Sequence, residues 1–221
     1  MRKLIQPLRL GLQICFMAGL WFPLFPQAEP VGQFIWLSAL ITGVFFCGWI
    51  CPFGAAQEWI NALSKRAHIP QLKIAPRYQK YLQVSRYLLF GLSTIGITFF
   101  FLNSRYYFEH NLIMGMMEAT SITALITFLL SAVFIERPFC NYFCLKGAAD
   151  GLMSIIRIFG ISRNDKKCVN CHLCDKNCPM NIRVEKYRFV RHPNCINCMR
   201  CLTSCPKSCI AFKLFNPLKK S

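Results

Sequence analysis

The chain has 221 residues, is 54% hydrophobic and carries a formal charge of +17. That combination does not suit an ordinary soluble domain and suits a membrane protein with basic cytoplasmic parts. Fourteen cysteines would suggest a disulfide scaffold in a small secreted chain, but eight of them stand in metal-cluster spacing and read as thiolate ligands. The basic residues border apolar segments, so membrane topology accounts for them and a nucleic-acid partner is not expected.

Four apolar segments, at 8–25, 31–50, 87–102 and 119–135, are each near the roughly 20 residues that span a bilayer as a helix. Apart from Arg9 they contain no charged residue or histidine. The first opens with Arg2 and Lys3, and without a small-residue cleavage site it reads as an uncleaved helix. Cys15 within it reads as a packing residue.

The second segment ends in Phe46, Cys47, Cys51, Pro52, Gly54, Ala55 and Ala56. The fourth leads into Phe139, Cys140, Cys144, Gly147, Ala148 and Ala149. The shared frame is F-C-x-aromatic-x-C-x-x-G-A-A. Cysteines four apart share a helix face, so two such pairs can converge as a four-thiolate metal site. The other readings are helix packing with incidental cysteines and a redox-active dithiol.

Between the second and third segments lies a polar loop, 61–86, with Pro70, Pro76 and six basic residues. Residues 104–118 form the opposite loop. Lys/Arg asymmetry places both termini, the 61–86 loop and the C-terminal region on the cytoplasmic side of an inner membrane. Trp21, Phe22, Tyr106 and Tyr107 fit an aromatic belt on the far side. The division expected is 1–146 as an all-α domain of four transmembrane helices, 147–163 as an interfacial linker helix, and 164–221 as a small α+β two-cluster ferredoxin-like domain.

That last region carries the strongest signal. Cys168, Cys171, Cys174 and Cys178 precede Pro179, and Cys195, Cys198, Cys201 and Cys205 precede Pro206. Each run is C-x2-C-x2-C-x3-C-P, the bacterial pattern for [4Fe–4S] clusters, in which the fourth cysteine serves the other cluster. One cluster is therefore expected on Cys168, Cys171, Cys174 and Cys205, and the other on Cys195, Cys198, Cys201 and Cys178. Zinc would leave the third and fourth cysteine of each run unexplained. Cys168, Cys171 and His172 also spell a haem c attachment motif, but the segment reads as cytoplasmic and the cluster pattern is more complete. His172 then reads as a surface residue, Cys209 as packing under a cluster, and 210–215 as a closing strand.

These residues together resemble the membrane polyferredoxins typified by NapH, a quinol dehydrogenase membrane component, with similarity to the membrane part of NosR and to a cytochrome oxidase assembly ferredoxin. Cys47, Cys51 and Pro52 match the family's first C-x3-C-P motif. Cys140 and Cys144 match the second, with Leu145 where the family has proline. The resemblance implies two [4Fe–4S] clusters, quinone or quinol as a substrate, and a redox partner protein or larger complex. A third iron–sulfur or metal centre at Cys47, Cys51, Cys140 and Cys144 is expected from the repeat.

The leading expectation is an electron-transfer subunit exchanging electrons between the quinone pool and a partner. Glu58, His68 and Glu136 are proton-accepting candidates on one side, and Glu109, His110 and Glu118 on the other. The alternative is a ferredoxin-driven reductase for metal or metalloenzyme maturation. An acidic carrier would then dock on Lys166, Lys167, Lys176, Arg183, Lys186 and Arg188. A redox sensor ranks last, because no output module is recognisable.

Overall fold

The computed structural model describes residues 2–19, 40–94 and 119–215. They form two compact units, one of Met1–Pro52 with Asp150–Ser221 and one of Phe53–Ala149.

The first unit is built around the ferredoxin-like runs. Helix α1, Arg2–Gly19, turns a polar face inward. Its Arg9 Nε donates to the Gly48 carbonyl at 2.6 Å, and its Gln6 amide donates to the Cys198 carbonyl at 3.1 Å. A single helical turn, α2 (Phe46–Trp49), packs nearby. The chain then enters strand β1, Phe159–Arg163, which pairs antiparallel with strand β2, Ile210–Leu214, from Phe159 opposite Leu214 to Arg163 opposite Ile210. Ile161, Val184, Val190, Leu202 and Ile210 fill the core beneath this two-stranded sheet. Burying branched side chains on one face of so short a ribbon is what makes it stable, since a lone hairpin is marginal in water.

The second unit is helical. It contains α3 (Pro52–Arg66), α4 (Pro76–Thr94), α5 (Ala119–Phe134), α6 (Pro138–Tyr142) and the start of α7 (Leu145–Met153). Polar side chains hold it together. Asn61 donates to the Ala132 carbonyl at 3.0 Å and Ser64 to that of Val133 at 2.7 Å. Tyr142 donates to Gln79 at 2.7 Å, and Gln83 donates to Asn141 at 3.2 Å. Arg86, buried, donates to the carbonyls of Cys140 at 3.0 Å and Gly147 at 2.6 Å. A buried arginine is tolerable because charge-assisted bonds to carbonyls, which helix ends leave free, replace its hydration.

The four-span architecture and the multi-pass inner-membrane placement are corrected here. Among the described residues, no helix is long and apolar enough to cross a membrane. Helix α1 carries Arg2, Lys3 and Arg9, and α4 carries Arg77, Lys80 and Arg86. Helix α5 is apolar but has 16 residues, about 24 Å at 1.5 Å per residue, short of the ~30 Å hydrocarbon thickness. What stands instead is a mixed helical chain with a small two-stranded sheet. Residues 20–39 and 95–118 lie outside the described residues, and with them parts of the first three segments, the 104–118 loop, Trp21, Phe22, Tyr106, Tyr107, Glu109, His110 and Glu118. Cys15 is exposed rather than packed, on the same side of α1 as exposed Ile14. Within 147–163, the helix ends at Met153, a 3-10 turn covers Ser154–Ile156, and β1 follows.

Candidate iron–sulfur sites

The two cysteine runs fold into the same backbone pattern twice. In the first run Asn170 and His172 have left-handed φ values of 51° and 55°, and in the second Asn197 and Met199 have 46° and 57°. Three residues after each fourth cysteine the pattern recurs, at Asn181 (52°) and Ser208 (52°). Left-handed backbone is costly for residues other than glycine, and six matched instances mark a conformation that the loop requires. Each loop then enters a single turn of helix, α8 (Leu173–Lys176) or α9 (Arg200–Thr203). The turns close alike, Lys176 N–H onto the His172 carbonyl at 3.0 Å and Thr203 N–H onto that of Met199 at 3.2 Å. Turns of this kind aim successive N–H groups at one point and make anion-binding concavities.

Each loop borders a cavity. The first is lined by Cys168, Cys171, Cys174, Cys205 and Cys209, and the second by Cys178, Cys195, Cys198 and Cys201. Both draw three cysteines from one run and a fourth from the other. Backbone N–H groups face each fourth sulfur from two and four residues on: Met180 and Ile182 at Cys178, Lys207 and Cys209 at Cys205. The Ile182 N–H lies 3.4 Å from its sulfur. Four convergent thiols supported by backbone N–H groups are the donor set that a cubane cluster requires, and on this observation the residues fit the group.

The surroundings of the two cavities differ. Cys171, Val169, Asn170, His172, Pro206 and Lys207 are all exposed around the first. His172 pairs with Glu185, whose backbone N–H donates to Asp175 at 3.2 Å. Around the second, Ile196, Asn197, Cys198, Cys201, Met180 and Ile182 are buried, and Val44 and Cys47 join the same apolar cluster. Asn197 bonds to the Thr42 carbonyl, and Trp49 Nε1 donates to the Asn197 carbonyl at 3.0 Å. Gly48 sits so close that a Cβ there would lie 2.2 Å from the Ile196 carbonyl oxygen. Buried Arg157 clamps the approach to the loop by donating to the carbonyls of Val190 and, at 3.1 Å, His192.

The thiol acidities follow. A backbone bond from Asn170 holds Cys168 below the ordinary thiol value against the upward pull of burial, with help from Arg163. At Cys205 burial pulls upward, and hydrogen bonds from Cys209 outweigh it, so the thiol is lowered. Burial raises Cys174 to about 12, with the Asp175 carboxylate adding to the effect. Burial pushes Cys178 and Cys201 well up, reinforced by neighbouring cysteines. Thiols of the second kind become thiolates only when a cation takes the proton's place.

The repeated C-x3-C frame also folds alike in its two copies. Ile50 and Cys51 N–H both bond to the Phe46 carbonyl, at 2.9 and 3.0 Å, and Phe143 and Cys144 N–H both bond to that of Phe139, at 2.9 and 3.0 Å. Cys47 and Cys140 sit in a short helix, and Cys51 and Cys144 in the break before the next one. Leu145 opens its helix as Pro52 does, so proline is not needed for this turn. In the second copy the Gln57 amide donates to Cys140 Sγ at 3.5 Å and the Gly147 N–H to Cys144 Sγ at 3.2 Å. A Cβ at Gly147 would stand 3.3 Å from that sulfur, which explains the glycine. Cys47 and Cys51 are buried in the first unit, and Cys140 and Cys144 are partly buried in the second.

Among the described sequence candidates, the two glutamates have structural partners. Glu58 is buried and pairs with fully buried Arg137 at 2.7 Å, and Glu136 pairs with Lys65 at 2.9 Å. His68 is exposed at a left-handed turn after α3. Cys209 is buried in the hydrophobic core, as the sequence reading has it, and is also a fifth thiol on the wall of the first cavity.

Comparison with known proteins agrees with this chemistry. The family described as "4Fe-4S binding domain" matches residues 31–70 and 119–160, and each match contains one C-x3-C pair. YccM of Escherichia coli strain K12, named for electron transport, is 34% identical over 175 residues, 72% of this chain and 47% of that protein. Protein NirI of Paracoccus denitrificans is 31% identical over 170 residues, 68% of this chain and 24% of its own. The ferredoxin-type protein NapH of E. coli is 26% identical over 144 residues, 65% of this chain and 50% of its own. The chain thus spans half or less of these relatives. No solved structure matches. With a matched 4Fe–4S binding domain and these relatives, the chain belongs to the NapH-like polyferredoxin family.

Proposed function

We propose that this chain carries two [4Fe–4S] clusters and exchanges electrons one at a time between the quinol–quinone couple and a redox partner protein. The observation that supports it best is the cross-run composition of the two cavities: Cys168, Cys171, Cys174 and Cys205 around one, Cys195, Cys198, Cys201 and Cys178 around the other. Clusters bound there supply one-electron chemistry. The chain's own residues set the terms. Backbone N–H groups at the sulfurs favour the thiolate state, and the different burial of the two sites sets different local dielectrics and so different potentials. The quinone arm of the proposal rests on the family resemblance.

We extend the proposal to the C-x3-C pairs. Cys47 with Cys51, and Cys140 with Cys144, would each supply two thiolates to iron. The amide and N–H bonds to Cys140 and Cys144 and the position of the matched 4Fe–4S segments support this.

A second reading, ferredoxin-driven reduction for metal or metalloenzyme maturation, draws on the exposed first cavity. Exposed Lys166, Lys167 and Lys207 stand close to it in sequence, a charge pattern suited to an acidic carrier. Iron and acid-labile sulfide on anaerobically purified protein, with EPR before and after a quinol analogue, test the readings. About eight irons with signals appearing on quinol addition support the first. Clearly more iron, lost in a Cys47→Ser/Cys140→Ser variant, supports iron at the C-x3-C pairs. Reduction by a soluble acidic ferredoxin with silence toward quinol supports the second.

A further inference from the structure

We propose that Cys209 is a fifth thiol of the first cluster site and can take the place of Cys205 as its fourth ligand. The inference rests on the cluster reading above and deepens it at one position.

Three observations carry it. Cys209 lines the same cavity as Cys168, Cys171, Cys174 and Cys205. Its sulfur lies 3.3 Å from that of Cys205. It therefore borders the thiols as well as being packed in the hydrophobic core. Two sulfurs this close reach one iron position with little backbone movement.

The internal repeat shows that packing does not require a cysteine there. Position 209 corresponds to position 182 in the other half, four residues after the fourth cysteine, and Ile182 is buried in that place. An aliphatic side chain satisfies the second site, so the thiol at 209 is particular to the first.

The two cysteines are also held differently. Cys205 lies on the turn through Pro206 and Ser208, whereas Cys209 abuts strand β2. The Asn164 N–H donates to the Cys209 carbonyl at 2.8 Å, and the Arg2 guanidinium bonds to the carbonyls on either side of it, Ser208 at 3.0 Å and Ile210 at 2.8 Å. The Cys209 backbone is thus pinned at the cavity wall, next to the turn that carries Cys205.

The test compares anaerobically purified full-length protein with Cys205→Ala, Cys209→Ala, the double variant, and Cys171→Ala as the reference for a lost ligand. Alanine is used because a serine oxygen can itself bind iron. Iron, sulfide and the EPR line shape of the reduced protein are the readouts. Each single variant at 205 or 209 should keep the wild-type iron, with Cys205→Ala shifting the line shape of one cluster. The double variant should lose about four irons per chain, as Cys171→Ala does. If Cys205→Ala alone loses as much iron as Cys171→Ala, no exchange occurs and the proposal fails. If Cys209→Ala alone loses it, the two are not interchangeable and the proposal also fails. The single variants decide the matter even if the double variant does not fold. Wild-type protein without cluster iron would overturn the cluster reading itself.

Discussion

The two cysteine cavities share a loop and differ in what surrounds it. Left-handed residues recur at the third and fifth positions of both loops and three residues after both fourth cysteines, and the helical turns close on matching carbonyls. Yet the first cavity opens among exposed residues, while the second is walled by buried ones and by Val44 and Cys47. The local sequence fixes the cage, and distant segments fix its access to solvent. Since burial and hydrogen bonds to sulfur tune potential and reactivity, one motif gives two thiol sites whose surroundings differ, one among exposed residues and one among buried ones.

The comparison breaks most severely at the cysteines. Cys198→Ala should remove about four irons and also lower stability by about 2 kcal/mol or more, because Cys198 belongs to the apolar core. Cys171→Ala should remove as much iron with little effect on stability, because Cys171 is exposed. Iron analysis with thermal unfolding checks both. Equal stability losses would mean that the enclosure of the second site is not structural. Next in size is Gly48→Ala. Its Cβ would meet the Ile196 carbonyl at 2.2 Å, so the segment must move, at about 1–3 kcal/mol. The EPR signal of the second cluster should change while that of the first stays as in wild type.

Much of the site was legible from sequence, because cluster spacing is local. Three cysteines within seven residues can converge only if the loop turns sharply, and the proline after each fourth cysteine marks where it leaves. The repeat of the C-x3-C frame was legible for the same reason, down to the glycine at 147 that lies against Cys144. What misled was hydropathy. A window over 87–102 misses that the helix begins at Pro76 and brings Arg77, Lys80 and Arg86 with it. Gln79, Gln83 and Arg86 are buried there by bonds to Asn141, Tyr142 and backbone carbonyls, partners more than fifty residues away that no window can see. The strand at Phe159–Arg163 was hidden likewise: its pairing partner lies some fifty residues on, and the preceding residues read as a continuous helix.

A smaller effect concerns Arg157. It is fully buried and donates to the Val190 and His192 carbonyls ahead of Cys195. Arg157→Met should leave those acceptors unpaired at about 1–3 kcal/mol, lowering the unfolding midpoint and broadening the second cluster's signal. The first cluster's signal should be unaffected. If both signals broaden together, Arg157 supports the whole unit and not one loop.

The finest test of the difference uses thiol reactivity in the iron-free protein. The thiolate is the nucleophile, so at a given pH the thiol with the lower pKa reacts first, provided that reagent reaches it. Cys168 and Cys205 are lowered by hydrogen bonds at the first cavity, whereas Cys178 and Cys201 are raised by burial at the second. Between pH 7 and about 9, the ordinary thiol value, iodoacetamide should therefore label Cys168 and Cys205 well before Cys178 and Cys201, as peptide mass spectrometry would read. Raising the pH toward 9 should narrow the gap only slightly, because thiols raised this far remain protonated there. Uniform labelling would show that, without iron, burial around Cys178 and Cys201 does not protect them.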